Sequence, residues 1–226
     1  MPSSAPSPSS TKQPTQARRA SLIAAALALA AKQSPASVTT AQLAAAIGVT
    51  QGAVFRHFES KEAIWLAVLE TSSARLLKQL QAAANAHDDA LHALRAVFDA
   101  HVAFIISHPG MPRLMLQELQ HPQETALKRH VSQLMTTYRQ LLKDLLGKAM
   151  ARGQLRPDTD LQAASVLFVG SIQGLVIQSL LAGHLDAMGQ QAPAVFALFL
   201  SSISAQGTAP SSPAAKPRHT RSSAQP

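Results

Sequence analysis

The segment from Thr39 to Trp65 constrains the fold more than any other part of the chain. It reads TTAQLAAAIGVTQGAVFRHFESKEAIW, in which a short apolar run ends at Gly48 and a second short run begins after Thr50. Glycine adopts the left-handed backbone that closes a helix, and threonine is a favoured residue at the start of one. Two short helices joined by such a turn place the second helix in the DNA major groove. The segment therefore predicts a helix-turn-helix and a DNA-binding protein.

The amino-acid composition favours an all-α protein around this segment. Hydrophobic residues make up 46% of the 226 residues, whereas aromatic residues make up only 4%. Alanine and leucine, which are good helix formers, dominate the hydrophobic share, and we find no strand pattern and no internal repeat. The lack of cysteine excludes disulfides, thiolate catalysis and cysteine-bound zinc, and it fits a cytoplasmic location.

Start and stop signals divide the chain into four parts. The first helix should run from about Gln16 to Gln33, because the proline after Ser34 disfavours helical geometry there. The helix-turn-helix domain should then occupy residues 16–62, and a larger helical domain should occupy residues 63–205. Residues 1–15 and 206–226 are rich in serine and proline, so we expect two disordered tails, the second of them basic.

Apolar residues at helical spacing predict six further helices from residue 60 onward. Glycine, proline and aspartate clusters mark their ends. The expected helices cover Ser60 to about Ala84, Ala90–Ser107, about Pro112–Gln120, Pro122 to about Ala151, about 158–182, and 192–204.

The positive charge is concentrated at the ends of the chain. The formal net charge is +8, but residues 1–65 carry six basic and two acidic residues, a net charge of +4. Residues 66–205 carry eleven basic and ten acidic residues, so the middle of the chain is nearly neutral. An excess of cations at the end that holds the helix-turn-helix suits a polyanionic partner such as double-stranded DNA.

The order of residues between Arg18 and Leu69 resembles the N-terminal domain of the TetR/AcrR family of bacterial transcription regulators. The resemblance rests on Arg18-Arg19 before an apolar helix, Leu43-Ala44, Gly48-Val49, Phe55-Arg56-His57-Phe58 and Ser60-Lys61-Glu62. It implies a three-helix DNA-binding domain followed by a helical ligand-binding and dimerisation domain. It also implies a ligand-responsive regulator, most simply a repressor that binds a palindromic operator as a homodimer and is released by a small hydrophobic inducer.

The resemblance also implies roles for individual residues. Phosphate contacts would come from Thr39, Thr40, His57 and Lys61, and base contacts from Gln51, Gly52 and Ala53, with Thr50 capping the recognition helix. Leu43, Ile47, Val54 and Phe58 would form the core of the domain. The family usually has tyrosine where this chain has Phe55, so one hydrogen bond to phosphate is lost, whereas stacking on a sugar or a thymine methyl group survives.

The chemistry of the residues agrees with these roles. A glutamine such as Gln51 can contact adenine N6 and N7 in a bidentate way, and the small side chains of Gly52 and Ala53 let the helix approach the groove floor. Arg56 can contact guanine or a phosphate. The alternative interpretations are a solvated Gln51, a half-buried core histidine at His57 and a solvated first-turn lysine at Lys61.

A two-fold dimer is expected because one recognition helix contacts too few bases for useful specificity. The helices at 158–182 and 192–204 are the interface candidates, since the first is apolar all round. Gly170 and Gly174 would let two helices approach closely. The residues expected to be buried between subunits are Leu167, Phe168, Ile172, Leu175, Val176, Phe196 and Phe199.

Adaptable side chains in the middle helices are candidates for contact with the inducer, by analogy with the family. They are Phe98, Phe104, Met115, Met135 and Tyr138. For any one of them, ordinary core packing is the favoured role. His101 and His108 lie seven residues apart and could sense a ligand or pH, although a hydrogen-bonded or surface histidine is the simpler interpretation.

Two apolar runs keep a membrane-associated or secreted helical protein as the alternative. Arg18-Arg19 followed by Ala20 to Ala31 is similar to a signal peptide, and the run from Leu161 to Leu185 is long enough to span a bilayer. We favour a soluble protein without a membrane partner, because cleavage near Ala31 would remove the first helix and glutamines interrupt the second run. An enzyme is disfavoured by the lack of a phosphate loop, nucleophile motif or metal-ligand spacing, so no cofactor or metal is expected.

Overall fold

The computed structural model describes residues 15–205, and within this range the chain is all-α, as predicted. The nine α-helices of the described residues are α1 (Thr15–Lys32), α2 (Thr40–Ala46), α3 (Gln51–Phe55), α4 (Lys61–Asn85), α5 (Ala90–Ser107), α6 (Gly110–Leu119), α7 (Ala126–Ala151), α8 (Leu161–Leu181) and α9 (Met188–Ile203). One isolated antiparallel bridge joins Leu155 to Ser204. The two expected tails lie outside the described residues, apart from Thr15, which begins α1.

Side-chain caps determine where most of these helices begin. Thr39, Thr50, Ser60, Asp89, Thr125 and Asp160 each accept a hydrogen bond from a backbone N–H of the first turn. The Thr125 cap corrects the expectation that Pro122 opens α7, because its hydroxyl accepts from the Lys128 N–H and fixes the start at Ala126. Similarly, the Asp160 cap places the start of α8 at Leu161 rather than 158.

Close packing shifts the start of two other helices from the expected positions. The helix expected from Pro112 begins at Gly110, which lies so close to α1 that a β-carbon there would be 2.5 Å from the Leu27 carbonyl oxygen. The last helix begins at Met188, one turn before the expected residue 192, and Met188 is fully buried. Pro193 therefore lies inside α9 rather than in its first turn.

The first three helices and the start of α4 form the N-terminal domain. The fully buried side chains of its core include Leu22, Leu43, Val54 and Ile64. Since α1 packs against both α4 and α6, it is an integral part of the fold, which disfavours its interpretation as a signal peptide. The helix α4 continues without a break from this domain into the next, so the expected boundary at residues 62 and 63 lies in its first turn.

The second domain is organised around α5, which packs against α4, α7 and α9. Edge-to-face contacts between aromatic rings fill its centre, with Phe98 and Phe168 centroids 5.3 Å apart and Phe168 and Phe199 also 5.3 Å apart. Beside this cluster, the buried His101 ring nitrogen Nδ1 lies 3.1 Å from the Tyr138 hydroxyl. Burial lowers the pKa of His101 to about 4 and raises the pKa of Tyr138.

The helices α8 and α9 lie on the outside of this domain with one face buried and one exposed. The expectation that seven residues lie buried between subunits is wrong for six of them: Phe168, Ile172, Leu175, Val176, Phe196 and Phe199 are buried within the single chain. Only Leu167 belongs to the exposed face, which also contains Val166, Ile177, Leu181 and Leu198.

Two helices of the described residues are long and apolar enough to cross a membrane, namely α5 and α8. About half of each lies buried inside the protein, at 50% and 44%. Helices of this kind are typical of a soluble helical core, in which an apolar helix is covered by its neighbours.

Candidate nucleic-acid interface

The turn between α2 and α3 has the geometry that the sequence predicts. Gly48 has a φ of +67°, a backbone conformation that favours glycine. A β-carbon there would meet no atom within 4 Å, so the backbone conformation, and not a lack of space, is the reason for glycine at this position. The Val49 N–H donates to the Ala44 carbonyl oxygen at 3.0 Å and closes the turn. Thr39 and Gln42 form a reciprocal capping box at the start of α2. The short helix α3 is therefore held at a fixed angle to α2.

Gln51, the predicted base-contacting residue, is exposed at the start of α3 and already held by a neighbour. Its Nε2 atom donates to the Thr40 hydroxyl oxygen at 2.6 Å. An amide nitrogen carries two hydrogens, so the second hydrogen and the carbonyl oxygen stay available for a bidentate contact with adenine. Thr40 thus orients the glutamine from the previous helix.

The surface next to Gln51 is open and small. Gly52 is exposed and has an ordinary helical backbone, and a β-carbon added there would meet no atom within 4 Å, so nothing in the described part of the chain requires a glycine at this position. Ala53 is half-buried, and Phe55 is 48% exposed at the end of the helix. Small and partly apolar side chains at this surface allow the floor of the DNA major groove to approach the helix closely.

A cationic groove borders the recognition helix on the side of α1. Its lining includes Arg18, Arg56 and His57, and none of its described lining residues is acidic. Its volume is about 210 Å³, which is room enough for a phosphate group. We missed Arg18 as an individual site residue from the sequence, because the segment alone does not show that α1 crosses next to Arg56.

Arg19 holds α1 against the end of the recognition helix. Its Nη1 atom donates to the His57 carbonyl oxygen at 2.5 Å, and its guanidinium carbon lies 4.2 Å from the centre of the Phe58 ring. Positioning of the helix-turn-helix therefore depends on Arg19, which belongs to the family pattern but lies outside the helix-turn-helix segment itself. The Nδ1 atom of His57 is buried without a hydrogen-bond partner within the described residues, although the ring as a whole is half-exposed.

Lys61 and Thr39 take part in contacts within the protein. The Lys61 ammonium group donates to the Ala36 carbonyl oxygen at 2.7 Å, and the Thr39 hydroxyl accepts from the Gln42 N–H at 3.1 Å. An ammonium group has three donors, so Lys61 retains capacity for a phosphate. Phosphate contacts by these two residues stay predictions.

The predicted inducer-contacting residues do not meet in one cavity. Phe98, Phe104 and Tyr138 are buried in the core, whereas Met115 and Met135 are half-buried. Met135 alone of the five lines an open groove of about 470 Å³ between α7 and α8, which we call the Met135 groove. Its described lining residues are Leu119, Glu124, Lys128, Val131, Ser132, Met135, Arg139, Val166, Val169 and Gln173.

Comparison with known families matches both halves of the chain. The family of bacterial regulatory proteins named tetR matches residues 22–68, and a tetracyclin repressor-like C-terminal domain matches residues 90–195. The nucleoid occlusion factor SlmA of Vibrio cholerae is 27% identical over 151 residues, which cover 65% of this chain and 74% of the relative. SlmA of Marinobacter nauticus is 27% identical over 168 residues, which cover 73% of this chain and 86% of the relative.

Solved structures share the fold over almost their whole length. The transcriptional regulator FadR from Bacillus subtilis, solved with stearoyl-CoA, is similar with a TM-score of 0.70 and 18% identity, covering 81% of this chain and 98% of that chain. The ketosteroid regulator KstR2 of Mycobacterium tuberculosis gives a TM-score of 0.70 at 21% identity, covering 84% and 96%. SmeT, the repressor of a Stenotrophomonas maltophilia multidrug efflux pump, gives 0.68 at 22%, covering 85% and 93%.

Proposed function

The chain belongs to the tetR family of bacterial regulatory proteins, and from this premise we propose that it is a repressor that binds a palindromic operator as a homodimer and is released by a small hydrophobic ligand. Regulators of this family are soluble DNA-binding proteins that respond to ligands and are not enzymes. The operator contacts, the dimer interface and the ligand site are our assignments from the geometry of this chain.

The hydrogen bond between Gln51 and Thr40 carries the assignment of the operator contacts. It fixes an exposed amide at the start of a capped recognition helix, and a glycine without any packing role lies next to it. The cations Arg18 and Arg56 of the groove that also includes His57 lie beside the same helix and suit the flanking phosphates. We assign base contacts to Gln51, Gly52 and Ala53, and backbone contacts to the cationic groove.

The exposed face of α8 and α9 supports the homodimer. Leu181 is 78% exposed, Leu198 is 71% exposed and Val166 is 51% exposed, whereas soluble monomers seldom expose neighbouring large apolar side chains on one face. Gly170 and Gly174 lie on α8 with open space around them, so a partner helix can approach the backbone closely. This interface uses the predicted helices and includes Leu167, Gly170 and Gly174 as expected, but it lacks the six residues that are buried within the chain.

The Met135 groove supports the ligand assignment. It combines apolar walls from Val131 and Val169 with two cations, Lys128 and Arg139, and its volume of about 470 Å³ is in the range of ligand sites. Phe98, Phe104 and Tyr138 are closed off in the core, so a ligand would touch them only after the core opens. We therefore propose that the inducer first contacts Met135.

Selection of bound sequences from a random DNA pool tests the proposed function. A palindrome should emerge whose half-sites are about one helical turn apart, because two recognition helices of a dimer contact the same face of the duplex. Gln51→Ala should weaken binding to the selected site by about 1–3 kcal/mol and relax base preference at one position of each half-site. Arg18→Ala, which removes a phosphate-directed cation, should weaken binding to all sequences alike and reduce the salt slope by about one.

These two variants control for each other, since both remove one exposed or half-exposed side chain near the same helix. Gel shifts in which Arg18→Ala changes base preference and Gln51→Ala does not would refute the assignment. A selected pool without two-fold symmetry would refute the dimeric operator.

The curated relatives suggest nucleoid occlusion as a second candidate function. Their similarity extends through 151–168 residues and thus through both domains. Mapping of bound chromosomal sites, combined with transcript levels in a deletion strain, separates the two functions. A repressor occupies promoters whose transcripts increase on deletion, whereas unchanged transcripts next to the bound sites would favour the second function.

A further inference from the structure

A groove at the junction of the two domains is separate from both the DNA-binding face and the Met135 groove. It lies between α1, α4 and the end of α5, has a volume of about 500 Å³, and extends along α1 from Gln16 to Ala31. At 1.5 Å per residue this length is about 22 Å. We call this cavity the junction groove. Its elongated shape suits an extended chain better than a compact ring.

The charge in the junction groove is positive and uncompensated. Arg19 and Arg75 line it, whereas none of its described lining residues is acidic. Within residues 15–205, neither guanidinium group forms an ion pair with a carboxylate, whereas Arg95 and Arg156 each pair with an aspartate there. Two arginines around one cavity attract an anion, since a guanidinium group presents a fork of donors that matches carboxylate and phosphate.

Arg75 has most of its donors free. Its one hydrogen-bond contact in this part of the chain is from Nη1 to the Nε2 atom of His108, at 3.4 Å. The other ring nitrogen of His108, Nδ1, lies 3.0 Å from the Phe104 carbonyl oxygen and 2.9 Å from the Ser107 hydroxyl, so the ring is held in place beside Arg75. Since no carboxylate of residues 15–205 pairs with Arg75, its charge is left for a ligand.

The wall of the junction groove along α1 is apolar. Ile23 and Leu27 are half-buried there. The other residues of α1 that line the groove from Ile23 to Ala31 are alanines. Arg19 at one end is already engaged with the His57 carbonyl oxygen and the Phe58 ring. An anionic group bound at Arg75 could therefore extend an apolar chain along Ile23 and Leu27 without meeting another charge before Arg19.

The chain itself offers no complementary occupant in its terminal segments. Residues 1–14 and 206–226 contain no aspartate or glutamate and, apart from Met1, no large apolar side chain. From the charge, the free donors of Arg75 and the apolar wall, we propose that the junction groove binds a small amphipathic anion, a carboxylate or phosphate with an apolar chain, through Arg75. This site lies outside the proposed inducer groove.

Occupancy of the junction groove should also influence DNA binding, and this part of the inference depends on the proposed function. The groove is lined by α1 of the DNA-binding domain and by α4 and α5 of the other domain. A ligand that contacts both sides favours one relative position of the two domains, so it shifts the affinity for the operator.

Isothermal titration calorimetry on the full chain tests the site directly. Octanoate and decanoate, below their micellar concentrations, serve as probes, and 1-octanol serves as the uncharged control. Decanoate should bind more tightly than octanoate because it buries two more methylene groups. Octanol should bind at least about tenfold more weakly than octanoate. Arg75→Gln should lower the affinity for decanoate by at least about tenfold, and Arg75→Lys by less, since it retains the charge.

Two variants make matched controls. Arg129→Gln removes an exposed arginine from α7 that lines none of the described grooves, and it should leave decanoate binding unchanged. Arg139→Gln alters the Met135 groove and serves to separate the two grooves: combined with Arg75→Gln, it should show that the binding lost in Arg75→Gln does not depend on Arg139. Equal decanoate affinities in Arg75→Gln, Arg129→Gln and the unaltered chain would overturn the proposal.

The coupling is measured by gel shifts on the selected operator with and without decanoate. An affinity change of at least about threefold, absent in Arg75→Gln, would support it. If the protein binds no DNA but its decanoate affinity still depends on Arg75, the proposed function fails while the ligand site stands.

Discussion

The buried pair of His101 and Tyr138 should make the stability of the protein depend on pH between about pH 4 and 6.5. Burial lowers the pKa of His101 to about 4, whereas an unfolded histidine has a pKa near 6.5. Between these values the unfolded chain binds a proton at this position and the folded chain does not. The stability contributed by the neutral histidine is therefore complete above pH 6.5 and is lost as the pH falls toward 4.

The expected loss is about 3 kcal/mol, since each pKa unit corresponds to about 1.4 kcal/mol. This is a large part of a total that for most domains is about 5–15 kcal/mol. The Tyr138 hydroxyl cannot offset it, because burial raises the pKa of Tyr138 and keeps that group neutral throughout.

Urea denaturation between pH 7.5 and pH 4, at one fixed protein concentration, measures the effect. His101→Gln keeps a side chain that can hydrogen-bond to Tyr138 but does not titrate. Between pH 7.5 and pH 4 this variant should therefore lose about 3 kcal/mol less unfolding free energy than the unaltered chain. His184→Gln, a change of the same chemistry at an exposed position, should retain the full loss. Equal pH dependence in the unaltered chain and His101→Gln would show that the buried histidine is not the titrating group.

Two further predictions concern contacts between helices. Leu198→Glu places a charge on the exposed face of α9, so it should convert the proposed dimer to a monomer at micromolar concentration. Sedimentation experiments measure this, and a variant that stays dimeric would exclude this face as the interface. Gly110→Ala should destabilise the fold by about 1–3 kcal/mol in thermal unfolding, because its β-carbon would lie 2.5 Å from the Leu27 carbonyl oxygen and 3.0 Å from the Ala30 β-carbon. Gly147→Ala, with nothing within 4 Å, is the control and should be neutral or slightly stabilising; equal effects would refute the clash.

Local signals in the sequence were sufficient for the recognition motif and for the number of α-helices in the described residues, but not for every helix start. The caps at Thr39, Thr50 and Asp89 and the glycine turn at Gly48 depend on residues within a few positions of one another, so they can be identified without tertiary information. The helix α5 has the bounds predicted for it, Ala90–Ser107, because an aspartate cap and a histidine-proline-glycine stop delimit it.

Features that depend on long-range packing could not be predicted in the same way. The helix α8 is apolar on all sides, so periodicity could not show which face packs on the chain and which on a partner. Four of its residues were placed wrongly at the interface, together with Phe196 and Phe199 of α9. The role of Arg19 required the crossing of α1 over His57, which is 38 positions away in sequence. The hydrogen bond between His101 and Tyr138 required the contact of α5 with α7.

The unbroken course of α4 has a mechanical consequence. With 25 residues it is about 37 Å long, and its first turn adjoins the recognition helix while its last turn lies in the other domain. A rigid rod of this length tilted by about 5° displaces its far end by about 3 Å, roughly the rise of one base pair. In the proposed dimer, the spacing between the two operator half-sites must match the separation of the two recognition helices. A small change in the tilt of α4, far from the duplex, is therefore enough to weaken operator binding.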